Sequence, residues 1–143
     1  MIASDQDGAT SLHPSTSRGL TLPLRLTTQR PTLAVAIDSS CTLAAASDGI
    51  AVTLWDLGAE APESATWSLP GREPIHDILM APDGSTLVAV GATTLRLWNL
   101  GDISRPPTTI TFPDDGPLAA AHLADRLLLA SPSALAWTDP HSM

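Results

Sequence analysis

Four histidines, one cysteine and a surplus of carboxylates are the side chains of this 143-residue chain most able to do chemistry. His13, His76, His122 and His141 show none of the short-range spacings that bring imidazoles onto one metal ion. Cys41 stands alone, so it has no internal disulfide partner, and a turn position makes it a small structural residue. Asp114-Asp115 offers two adjacent carboxylates before Gly116-Pro117, which is the chemistry of a solvated turn more than of a cation site. A nucleophile elbow of the Gly-x-Ser-x-Gly kind is missing, and so is a glycine-rich phosphate loop. The expectation is a chain with no catalytic residues, no metal and no cofactor.

Charge narrows the partners. The net charge is −8, from seven arginines, no lysine and fifteen acids. Nucleic acid and anionic lipid both require a basic surface, so neither is an expected partner. The first residues lack the basic-then-apolar pattern of a signal peptide, and no run approaches the roughly 18 apolar residues of a membrane helix. A soluble, cytoplasmic protein is expected. The exclusive use of arginine together with abundant alanine points to a GC-rich bacterial genome.

What positions the side chains is a repeated sheet pattern. In Ala81–Leu100, Pro82-Asp83-Gly84-Ser85 is a turn and Leu87–Val90 a short apolar strand. Thr93–Trp98 then alternates, with Thr94, Arg96 and Trp98 on one face and Leu95 and Leu97 on the other. The same order recurs at 38–56 and, more worn, at 124–137. Trp55 and Trp98 are 43 residues apart, and Trp98 and Trp137 are 39 apart. From the first leucine of each unit to its tryptophan the spacing is 12, 11 and 10 residues. A period of about 40–45 residues is that of a four-stranded propeller blade.

Leu54-Trp55-Asp56-Leu57, Leu97-Trp98-Asn99-Leu100 and the turn Asp83-Gly84-Ser85 resemble the WD-repeat β-propeller family over roughly residues 21–140. The resemblance implies an all-β fold, a partial propeller of about three four-stranded antiparallel blades. A tail is expected over 1–19 and three repeats over 20–143, at about 20–57, 64–100 and 107–139. Leu20–Thr27 is expected to be an outer strand with no blade of its own. Leu118–Leu129 is rich in alanine and leucine, a helical composition. Strands are expected there nonetheless, because Trp137 recurs on period. Trp55, Asp56, Asp83, Gly84, Trp98, Asn99 and Trp137 are the expected structural repeat positions.

The family often ties each blade with a His, a Ser or Thr, a hairpin Asp and the Trp. Here Gly71-Arg72 stands where Gly-His would be, and only Asp48 approximates the hairpin Asp. Propellers bind partners through loops, so Arg30, Arg72, Glu73 and His76, beside the starts of inner strands, are the expected protein-binding residues. Arg96 and Trp67 are second choices. Three blades close too tightly to form a ring. The resemblance therefore implies a scaffold that binds other proteins, itself in a 3 + 3 blade dimer, or a missing propeller half. The alternative is the detached C-terminal sensor portion of a larger bacterial signalling protein of the kinase, protease-like or nucleotide-binding kind, and a propeller hydrolase or lectin ranks below it.

Overall fold

The computed structural model describes residues 2–4, 9–12, 24–27, 31–58, 66–70, 73–112, 119–123, 126–131 and 135–138. These form fourteen strands in four antiparallel sheets, and no helix occurs among them. None of the described residues forms a helix long and apolar enough to cross a membrane, which says nothing of β-barrels.

The two central sheets follow the repeat read from the sequence. The first joins β4 (Ala34–Ile37), β5 (Leu43–Ser47), β6 (Ala51–Asp56) and β7 (Thr66–Pro70) in chain order. The second joins β8 (Ile75–Met80), β9 (Thr86–Gly91), β10 (Thr94–Asn99) and β11 (Thr108–Thr111). A third sheet holds β12 (Ala119–Leu123), β13 (Arg126–Ala130) and β14 (Leu135–Thr138). The alanine- and leucine-rich segment is thus sheet, as its place in the repeat predicts. Helical propensity is worth a few tenths of a kcal/mol per residue, too little to outweigh burial of Leu127 and Leu129.

A fourth sheet corrects two expectations. β1 (Ile2–Ser4) and β2 (Ala9–Leu12) lie inside 1–19, where a tail was expected. The β-strand at Leu24–Thr27, β3, expected as an outer strand with no blade of its own, pairs with β2 as the edge of that sheet. Polar composition hid these strands, because backbone ladder bonds need no apolar side chain. Among the described residues the partial propeller has two four-stranded and two three-stranded sheets, one sheet more than the tryptophans mark.

Strand pleat divides each sheet into two faces, and the cores lie between sheets. Val52 and Leu54 of β6 and Ala45 of β5 pack on Ile78, Met80, Leu87, Ala89 and Trp98. The opposite face of the second sheet, Val88, Val90, Leu95 and Leu97, packs on Leu127 and Leu129. Ala44, Ala46 and Trp55 form a further core on the first sheet's other face. Trp55 and Trp98 thus project the same way along the stack, each 2–3% exposed.

Trp137 departs from this order and corrects its expected repeat role. It is 63% exposed, with the Arg126 guanidinium 4.2 Å from its ring centre. The cause is register. Ser47 pairs with Val52, Val90 with Leu95 and Ala130 with Leu135. Trp55 and Trp98 lie three residues beyond those partners, and Trp137 only two. One residue fewer puts a strand side chain on the opposite face.

Candidate interaction surface

The two ends of the sheet stack are built differently. At one end the turns are tied down by short polar side chains. Asp38, 2% exposed, accepts bonds from Thr42 N and Leu43 N at 2.8 Å each and from the Thr42 hydroxyl at 2.9 Å. The Ser40 hydroxyl also donates to it. Burial alone would raise its pKa, but the donors at Ser40, Leu43 and Thr42 together hold the carboxyl below its ordinary value. This turn is fastened to the next sheet by Ser39 N donating to Pro82 O at 2.9 Å. Asp83 accepts from Ser85 N at 3.0 Å, and Gly84 supplies the φ of +72° that the turn needs.

At this same end the residue after each buried tryptophan does one job. Asp56 Oδ1 accepts from Gly58 N, and Asn99 Oδ1 from Gly101 N, both at 2.9 Å. The following leucines donate backbone bonds to the preceding turns, Leu57 N to Thr42 O and Leu100 N to Ser85 O. Aspartate and asparagine are interchangeable here because only an acceptor oxygen is used.

The other end carries the hairpins β5–β6 and β9–β10 and the lead-in to β8. Asp48 Oδ1 accepts from Ile50 N at 2.9 Å and Ala51 N at 2.8 Å, closing the first hairpin. The second hairpin has no such aspartate. Its place is taken from outside the hairpin: Glu73 Oε2 accepts from the Thr94 hydroxyl at 2.9 Å and from the Thr93 hydroxyl at 3.4 Å. Ile75 N donates to Gly49 O at 2.7 Å, which joins the two sheets at this end. Above that junction sit Leu33, 68% exposed, and Ile50, 51% exposed. Leu33 Cδ1 lies 2.8 Å from where a Cβ on Gly49 would be, so the leucine rests on the hairpin.

The expected binding residues distribute as follows. Glu73 is half-buried and holds the hairpin; His76 is exposed at the β-bulge where β8 shifts register between Ile75 and Asp77. These two meet at the lead-in end, beside Pro74, which is also exposed. Arg30, Arg72 and the Trp67 side chain lie outside the described residues, as do His13, His141 and the Asp114-Asp115 turn. Arg96 is buried on the Trp98 face and offers no binding surface. Leu33 and Ile50 were not singled out from sequence. An apolar residue after a turn glycine was the available signal, but it reads equally as the first residue of a buried strand.

No group of three or more His, Cys, Asp or Glu able to hold a metal ion occurs among the described residues. His122 on β12 has its Nε2 buried without a hydrogen-bond partner. Burial lowers its pKa from 6.5, and the nearby Asp83 carboxylate opposes that.

No protein-family model matches the chain, and no curated protein matches it. Among solved structures it is similar to the Cps50 (Swd1) β-propeller domain of Myceliophteria thermophila, at 15% identity with a TM-score of 0.73. The match covers 99% of this chain and 48% of that one, so the chain spans about half the length of that domain. The sheet order, the cores between sheets and this likeness together identify the fold: the chain is an arc of a β-propeller.

Proposed function

We propose that the chain is a non-catalytic scaffold of the WD-repeat kind, cytoplasmic and bacterial, that holds other proteins at the hairpin end of its sheets. The observation that carries this reading is the exposed pair Leu33 and Ile50 on a hairpin closed by Asp48 and joined to β8. Apolar side chains displayed on a rigid, fully bonded frame lose little conformational entropy on binding. Glu73 and His76 supply a polar rim beside them, the usual surround of an apolar contact. Arg30 and Arg72, by their places in the sequence, flank the same strand starts.

Affinity capture with quantitative mass spectrometry tests the proposal. A partner retained by the wild type should fall at least tenfold with Leu33→Asp plus Ile50→Asp, with circular dichroism unchanged. Partners retained equally by that variant and by Arg72→Ala would overturn the site. Turnover of generic esterase or glycosidase substrates, abolished by one loop substitution, would overturn the non-catalytic reading.

A second reading is favoured by the half-length match: the chain as a sensor portion of a larger bacterial signalling protein. Further in-frame Leu-Trp-Asp units in the flanking genomic DNA would support it.

A further inference from the structure

The outer face of the third sheet has no cover among the described residues. Leu128 pairs with Ala121 on one side and Trp137 on the other, and Ala130 pairs with Ala119 and Leu135. Directly paired residues share a face, so these six apolar side chains lie together. Their alternates Leu127, Leu129 and Ala120 pack back onto the second sheet. The six therefore point onward, away from the stack. Leu135 is 72% and Trp137 63% exposed, and Ala119 and Ala121 are exposed as well. Apolar patches of this kind on a soluble protein mark contact surfaces.

The stack says what shape fits there. Val52 and Leu54 face the second sheet, and Leu95 and Leu97 face the third, so each forward face is covered by another sheet. The face with Leu128 and Trp137 is the next step of that series. The arc spans 48% of a propeller domain, so two arcs supply a full circle.

We propose that a second copy of this chain covers the β12–β14 face, stacking a sheet on Leu128, Leu135 and Trp137. Two such arcs related by a two-fold axis supply eight sheets and cover the β12–β14 face of both copies. Ring closure by a copy of the same acidic charge is favoured by salt, which screens repulsion beyond about 10 Å at 0.1 M. This assembly rests on the propeller fold and not on the partner-binding reading, whose residues are at the hairpin end.

Light scattering during size exclusion, at 5 to 100 µM and in 0.1 and 0.5 M NaCl, tests it. The wild type should elute at twice 14.9 kDa, more completely at the higher salt. Leu135→Glu plus Trp137→Glu should elute at one chain mass with unchanged circular dichroism. Should that variant not fold, the wild type gives the second readout: dilution to 0.5 µM should halve the mass and red-shift tryptophan emission as Trp137 meets water. A wild type of one chain mass at 100 µM would overturn the proposal and assign the face to further sheets or another protein. A dimer that persists in the folded double variant would overturn it too. Failure of either kind leaves the capture result at Leu33 and Ile50 unaffected, and loss of capture leaves the mass unaffected.

Discussion

Asp38 accepts four hydrogen bonds, and its consequences are residue-sized. Replacing it by Ala strips the buried acceptor from two backbone N–H groups of a turn whose other residues are exposed. The expected loss is about 2–3 kcal/mol by urea denaturation, because charged acceptors contribute more than neutral ones. Its carboxyl is held below the ordinary value of 3.8 in the fold. Its contribution is therefore present above pH 4 and lost as pH falls through the lower folded value. The difference in Tm between wild type and Asp38→Asn should shrink on acidification below pH 4. His122 carries the opposite sign of charge. Its folded pKa is lowered from 6.5, so the unfolded chain takes up the proton first. Stability should fall as pH drops below about 6.5, and His122→Leu should flatten that part of the Tm profile.

At the scale of elements, sheet stacking depends on which face a strand presents. Trp98 sits in the core between the first and second sheets, so Trp98→Ala should cost about 3–5 kcal/mol. Trp137→Ala should cost under about 1 kcal/mol in the dilute single chain, since it loses only an exposed ring and its Arg126 contact. Equal destabilisation in urea would contradict the flipped register of β14. The first hairpin gives an independent check. Gly49 has φ +87°, and a Cβ there would press on Leu33. Gly49→Ala should cost about 1–2 kcal/mol, mostly from backbone strain, since exposed Leu33 can move aside.

At the scale of the whole molecule, cores join the described sheets, and the outer face of the third sheet is open. The interior cores join sheets at right and left through alternate residues of the same strands, as β9 and β10 do. That arrangement makes stability cooperative across sheets: Leu87 and Val88 are neighbours in sequence but serve different cores. A urea transition followed by near-ultraviolet circular dichroism and by tryptophan emission should therefore coincide. Separate transitions would mean that the sheets fold as independent units.

Much of this was legible in the residues. Alternation in Thr93–Trp98, the turn glycines and the Trp spacing predict the two central sheets to within a residue or two at their ends. They do so because period-2 burial and positive φ are local properties, written in a few adjacent positions. The reversal of Trp137 was not legible in the interval from leucine to tryptophan, because intervals of 12 and 11 residues both leave the tryptophan buried on the same side. It was obscured because the worn third unit has no Asp after its Trp to anchor the alignment. What lay beyond the sequence was relational. Glu73 replaces a hairpin aspartate across about twenty residues of chain, which no local pattern encodes. The strands at 2–4 and 9–12 exist through backbone pairing with one another and with β3. Exposure of Leu33, Ile50 and Leu135 depends on which neighbours stack and which do not. Local residue types decide what strands form; only the three-dimensional stack decides which of their faces remain open.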